Sequence, residues 1–159
     1  VKKLILDLSD LLEVGSSRNY LKELDADHID FRGNEISIKD PIKIDLDVLK
    51  TDASFVLTGE LEVSLILQCS RCLKEYAHQI EVEISDELLI EDIEDLKNVD
   101  VFPILVSDII LEIPIKPLHD ENCKGLCSIC GQDLNEGECD CEEEIVDPRL
   151  AKLKEYKEK

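Results

Sequence analysis

The stretch from Ala53 to Gln68, ASFVLTGELEVSLILQ, decides the fold. Leu57, Leu61, Val63, Leu65 and Leu67 share one parity, and Glu60 and Glu62 sit on the other. A period of two residues belongs to a strand with one packed and one wet face. Gly59, inside the run, predicts a bulge or bend. Upstream, Ile42, Ile44, Leu46 and Val48 alternate with Lys43, Asp45 and Asp47. Downstream, Ile80, Val82 and Ile84 alternate with Glu81, Glu83 and Ser85. Three such runs separated by turns predict an antiparallel meander.

The flanks read differently. Residues 2–8, KKLILDL, form a short first strand in this reading. Residues 9–35 carry Gly15, Ser16, Ser17, Asn19, Gly33 and Asn34 and read as loops and turns. Residues 91–100, EDIEDLKNVD, read as an acidic loop. Pro103 suits the first turn of a helix, where its missing N–H is harmless. Leu105, Ile109 and Ile113 then recur at helical spacing until Pro114 ends the run. That helix is expected to cover the wet or open side of the sheet. Asp147 followed by Pro148 marks another helix start, with Leu150 and Leu153 as its apolar stripe.

A chain of 159 residues suits one domain, which buries roughly 70% of its unfolded surface. Aromatics make up 4% and Trp and Met are absent, so the core must be built from Leu, Ile and Val. The formal net charge of −20 repels polyanions and attracts basic partners. Eleven acids lie between Glu81 and Glu112 against Lys97 alone, and eight lie between Asp133 and Asp147 with no base. The last stretch reverses sign, with Arg149, Lys152, Lys154, Lys157 and Lys159 outnumbering Glu155 and Glu158. Such acidic runs are most often solvated surface. No run approaches the ~20 apolar residues of a membrane span. The N-terminal VKKLILDLSDLL is too short, and too interrupted by Asp7 and Asp10, for a signal-peptide core. The expected location is the cytoplasm, where seven cysteines point to metal rather than to disulfides.

Short-range cysteine pairs let one tight turn aim two sulfurs at a tetrahedral zinc ion. Cys127 and Cys130 form such a pair, with Gly131 trailing, and Cys139 and Cys141 form a second pair eight residues later. Together they make a candidate Cys₄ site. Cys69 and Cys72 are a further pair at the end of the long strand, which leaves His119 and Cys123 as ligands to be assigned. One division puts Cys69, Cys72, His119 and Cys123 in a second site. The other joins Cys69 and Cys72 to Cys127 and Cys130, as zinc ribbons often do, and strands the last pair. A catalytic zinc keeps an open position, commonly beside His or carboxylate ligands. His28, His78 and His119 include no pair at helical spacing, and the chain has no H-E-x-x-H, no G-x-S-x-G and no phosphate-cradling glycine loop. No catalytic residue is assigned. The expected class is therefore α+β, a β-rich antiparallel meander with a few short helices and a zinc-stabilised C-terminal module: a β-rich domain over 1–117, a zinc-binding module over 118–146 and a C-terminal helix over 147–159, forming one compact unit.

The stretch Ile110–Asn135, ILEIPIKPLHDENCKGLCSICGQDLN, and the run Asp147-Pro148-Arg149-Leu150-Ala151-Lys152-Leu153 resemble the YceD family, the large ribosomal RNA subunit accumulation proteins. Cys69-Ser70-Arg71-Cys72-Leu73 after a strand-rich half belongs to the same pattern. In that family the first pair and the His119–Cys123 segment also occur in members lacking the later knuckles, and some members carry Cys where His119 stands. The resemblance thus implies a site of Cys69, Cys72, His119 and Cys123 independent of the Cys₄ cluster, hence one or two structural zinc ions. It further implies a non-enzymatic role in synthesis, processing or accumulation of large-subunit (23S) ribosomal RNA. RNA affinity comes largely from Lys and Arg meeting phosphates, so an acidic chain is expected to hold a basic ribosomal protein of the large-subunit precursor. Direct RNA contact falls to residues 149–159. The rival readings are a zinc- or thiol-dependent enzyme acting on RNA precursors, favoured by an open coordination position or a depressed cysteine pKa, and a direct RNA-binding module, favoured by a contiguous basic face.

Overall fold

The computed structural model describes residues 2–31 and 33–141, and the helix expected over 147–159 lies outside them. In chain order the strands are β1 (Ile5–Leu6), β2 (Ser17–Leu24), β3 (His28–Phe31), β4 (Asn34–Ser37), β5 (Ile42–Lys50), β6 (Ser54–Gln68), β7 (Glu75–Leu89) and β8 (Val99–Asp100). A 3-10 turn, Ile90–Asp92, follows β7, and one α-helix, α1 (Phe102–Glu112), follows β8. The main sheet has four antiparallel strands in the order β2-β5-β6-β7, while β1–β8 and β3–β4 form separate ladders. The β-rich antiparallel character is as expected. Among the described residues the one α-helix is that expected from Pro103, and the other expected helix, over 147–159, lies outside them.

The alternating runs form the sheet because one parity of each is apolar. Ile42, Ile44, Leu46 and Val48 of β5 are buried, as are Leu57, Leu61, Val63 and Leu65 of β6 and Ile80, Val82 and Ile84 of β7. Leu46, Gly59 and Ile84 are direct neighbours across three strands, and the register runs unbroken on both sides of them. The bulge predicted at Gly59 is therefore absent. Close approach explains the glycine instead: a Cβ there would run into the Asp45 backbone carbonyl.

The helix also departs from expectation. Phe102, Leu105 and Ile109 of α1 are buried in the same apolar cluster as the inner face of the sheet. The helix thus covers the packed face, and among the described residues no helix covers the wet one. Covering the other side would have desolvated Asp45, Glu60, Glu62, Glu81 and Glu83, a cost that no apolar helix face offsets. The Asp100 carboxylate fixes the start of α1, accepting the Phe102 and Leu4 backbone N–H groups, each at 3.1 Å. A negative charge there suits the positive end of the helix dipole.

Leu4, Leu6, Leu8 and Leu11 line the core from the N-terminal side. Only Ile5 and Leu6 of the expected first strand pair, with Asp100 and Val99. The segment read as loops contains β2, β3 and the start of β4. β2 is a sheet edge exposed along most of its length, so its sequence has no apolar alternation to read. The acidic loop likewise hides the 3-10 turn and β8.

Candidate metal centre

Residues 69–74 join β6 to β7 in a tight tip. The Cys69 N–H donates to the Lys74 carbonyl at 2.9 Å, and the Leu73 N–H donates to the Cys69 carbonyl at 2.9 Å. Leu73 takes a φ of 63° to close the turn. The tip folds Cys69 and Cys72 inward, where both are buried. The segment after α1 is laced to it. The Ser70 N–H donates to the Pro117 carbonyl at 2.8 Å. The Arg71 guanidinium donates to the carbonyls of Glu121 at 3.0 Å and Cys123 at 2.8 Å. Gly125 passes so close that a Cβ would lie 3.1 Å from the Arg71 carbonyl oxygen.

This lacing brings the ligand atoms of Cys69, Cys72, His119 and Cys123 within 4.8 Å of one another. Cys69 Sγ lies 3.8 Å from Cys123 Sγ, and Cys72 Sγ lies 3.4 Å from His119 Nδ1. A disulfide would need about 2.05 Å. Bonds of about 2.3 Å to sulfur and 2.05 Å to nitrogen, at tetrahedral angles, give edges of about 3.8 Å and 3.6 Å. The donors therefore fit a tetrahedral ion. Tyr76, Leu118 and Leu126 pack around the three buried sulfurs, and the Tyr76 ring meets His119 edge-on at 6.5 Å.

The second group, Cys127, Cys130, Cys139 and Cys141, is likewise gathered within 4.8 Å. Its first knuckle follows from local hydrogen bonding. The Gly131 N–H donates to the Cys127 carbonyl at 2.9 Å, the Cys127 N–H to the Gln132 carbonyl at 2.8 Å, and the Ile129 N–H to Cys127 Sγ at 3.4 Å. Gly131 supplies the φ of 76° that this turn requires. Cys69 and Cys72 share no such group with Cys127 and Cys130, so the ribbon-like alternative is not what the fold assembles. An exposed trio, His28, Asp30 and Glu35, also clusters on the β3–β4 hairpin.

Electrostatics divides each group. Burial opposes ionisation of Cys69, but hydrogen bonding from His119 and from nearby backbone N–H groups overcomes it and lowers its thiol to about 5. Burial pushes Cys72 up. In the second group, backbone N–H groups of Cys130 and Ile129 lower Cys127 to about 6, whereas Cys130 and then burial push Cys141 up to about 12. Each group thus pairs a lowered thiol with a raised one, and thiol ligands give up their protons when a metal binds.

Three further residues matter that residue spacing did not single out. Lys74 reaches from the hairpin to Asp133 at 2.8 Å and Glu136 at 2.7 Å. This pairing holds the Asp133 carboxyl down at about 2, with the Asn135 backbone N–H assisting. Asn135 Nδ2 donates to Cys123 Sγ at 3.4 Å. Arg71 holds the carbonyls named above.

Comparison with known proteins follows the same lines. The family described as Large ribosomal RNA subunit accumulation protein YceD matches residues 57–157. The chain belongs to the YceD family. The eight cysteine and histidine residues of the two groups lie inside the matched region. The chain is 28% identical over 128 residues to an uncharacterized protein of Mycobacterium bovis and to one of Mycobacterium tuberculosis, covering 72% of this chain and 61% of theirs. It is also 23% identical over 157 residues to the chloroplastic large ribosomal RNA subunit accumulation protein YCED homolog 1 of Arabidopsis thaliana, covering 74% of this chain and 49% of that protein. This YceD-family chain therefore spans about three fifths of the length of the mycobacterial relatives it matches. No solved structure matches it at a significant level. Among the described residues no helix is long and apolar enough to cross a membrane.

Proposed function

We propose that this chain is a non-enzymatic ribosome-biogenesis factor supporting synthesis, processing or accumulation of large-subunit (23S) ribosomal RNA in the cytoplasm. In this reading it carries two structural zinc ions and holds a basic ribosomal protein. The family match over residues 57–157 carries the proposal. Thiolate and imidazole donors at tetrahedral spacing suit zinc. Four protein ligands per group close the tetrahedron, which supports a structural rather than a catalytic ion. Cys69 and Cys127 are the depressed thiols that an enzyme reading would seek, but Cys69 is wholly buried and both are members of a ligand set. In the same proposal, residues 118–146 form the zinc module, docked on the 1–117 domain as one unit.

The partner reading draws on where the acids lie. Part of the two acidic blocks is already engaged within the chain, and part lies outside the described residues. Asp100 accepts the Leu4 and Phe102 backbone N–H groups, Asp133 and Glu136 are paired with Lys74, and Glu142, Glu143, Glu144 and Asp147 lie outside the described residues. The wet face of the sheet instead aligns Asp45, Glu60 and Glu83 in one cross-strand row, with Glu62 opposite Glu81 in the next. Lys43 pairs with Glu62 at 3.3 Å. Like charges directly opposite destabilise a sheet, and a basic partner would relieve them.

The test is co-sedimentation of the purified chain with large-subunit precursors over a salt series, with and without nuclease. Neutralising Asp45, Glu60 and Glu83 together should weaken association by more than neutralising Lys154 and Lys157. The opposite ranking would overturn the acidic-adaptor reading and favour a basic tail that reads RNA.

A further inference from the structure

We propose that the two clusters load metal cooperatively, and that Asn135 is the positioning residue that couples them; this rests on the reading that both clusters hold an ion. Asn135 belongs to the turn Asp133–Glu136, which lies within the link between Cys130 and Cys139. That turn is held at both ends by ligands of the second cluster. Its side chain, however, serves the first. Asn135 Nδ2 donates to Cys123 Sγ at 3.4 Å and to Asp133 Oδ1 at 2.6 Å, while its Oδ1 accepts the Lys124 N–H at 2.8 Å. These partners settle which way the amide points. Flipping it would set an oxygen against a thiolate and a carboxylate and would set an NH₂ group against an N–H.

The same turn grips the other half of the first cluster. Asp133 and Glu136 both bind the ammonium group of Lys74, which closes the hairpin tip presenting Cys69 and Cys72. The Leu134 N–H donates to the Gly125 carbonyl at 2.9 Å, which anchors the turn beside Cys123. One four-residue turn therefore touches both chain segments that must meet at the first cluster.

The two clusters differ in how they close. The second draws all four ligands from residues 127–141, whereas the first joins a hairpin tip to a segment beyond α1. A locally closing site can form first and present Asn135 and Asp133 already in place. Outer-sphere hydrogen bonds to metal ligands typically carry about 10–100-fold in affinity. The coupling should be of that order.

The experiment is a cobalt(II) titration of the full chain after chelator treatment, followed by zinc competition. Ligand-field and thiolate charge-transfer bands distinguish a Cys₃His set from a Cys₄ set. The Cys139→Ser/Cys141→Ser variant should lower affinity at the first cluster by about 10–100-fold, although it alters none of that cluster's ligands. The Asn135→Asp variant keeps the acceptor for Lys124 but removes the donor to Cys123. It should give a loss of similar size at the first cluster and none at the second. Combining the changes should add little to either alone. Circular dichroism of the sheet controls for folding. A wild-type chain that binds fewer than two ions would overturn the metal reading and this proposal with it. Two ions bound with first-cluster affinity unchanged in both variants would overturn the coupling alone.

Discussion

Asp108→Asn should stabilise the protein at neutral pH and leave it nearly unchanged in acid. Asp86 on β7 and Asp108 on α1 each bury an Oδ2 that no hydrogen-bond donor among the described residues reaches. Burial, and then the carboxyl of Asp86, raise Asp108 from an ordinary 3.8 to about 6. Two decades of proton affinity correspond to roughly 3 kcal/mol. Partial exposure of the carboxyl screens this to about 1–2 kcal/mol. The sign follows from linkage. Asp108 holds its proton more tightly in the folded state, so the penalty is absent below about pH 4, grows as pH rises, and is complete above about 6. An asparagine cannot ionise and can donate to Asp86. Urea unfolding of both forms at equal total zinc, from pH 4.5 to 8, isolates the difference from any pH effect on the metal groups. The variant should gain about 1–2 kcal/mol at pH 7.5 and converge on the wild type in acid. A variant that is less stable at pH 7.5, or a gap that does not change with pH, would refute the reasoning that these carboxyls face each other without a cation.

Metal analysis of protein purified without chelator should find two zinc ions per chain, and Cys130→Ser should retain one or fewer while β5, β6 and β7 keep their circular dichroism signal. Because thiolates lose protons to bind metal, acid should release both ions and lower the thermal midpoint; a Cys130→Ser chain with both ions and an unchanged midpoint would remove Cys130 from the ligand set. Gly59→Ala should cost about 1–3 kcal/mol, since the new methyl meets the Asp45 carbonyl rather than open space. Chemical denaturation reads that cost directly, and a neutral result would mean that β5 and β6 separate more easily than their register suggests.

The sheet was legible where burial is one-sided. Ile42 to Val48 and Ile80 to Ile84 alternate because every second residue enters the core. β2 was not legible because Tyr20 and Leu24 are its only partly buried positions, which leaves no period to detect. The apolar stripe of α1 predicted a packed helix, but a stripe does not say which sheet face receives it. That choice came from the acids on the other face. Gly59 could be read equally as a bulge or a close approach, and only the register of three strands separates the two. The cysteine spacings announced the pairs, and the family resemblance suggested how to group them. The grouping itself is tertiary, made by Arg71, Ser70 and Pro117 across a long sequence separation. Lys74 and Asn135 look like ordinary surface residues in sequence. Their partners appear only once the hairpin tip and Cys123 meet the Asp133–Glu136 turn.

The same contacts bear on whether RNA or protein is the first partner. Phosphate recognition needs cations free to displace counterions. Arg18 pairs with Asp10, Lys43 with Glu62 and Lys74 with Asp133 and Glu136, and Arg71 is spent on backbone carbonyls. Each of these already faces an oxygen of its own chain. An RNA approaching the wet face of the sheet would also meet the row of Asp45, Glu60 and Glu83. Its repulsion reaches across a screening length of about 8–10 Å at moderate salt. A basic protein meets the opposite situation, in which the same row speeds encounter and selects the partner. In the proposed function, contact with ribosomal RNA is assigned to residues 149–159, acting beside a basic protein already bound. On this ordering, removing that segment should slow or weaken RNA crosslinking while leaving low-salt capture of the basic partner intact.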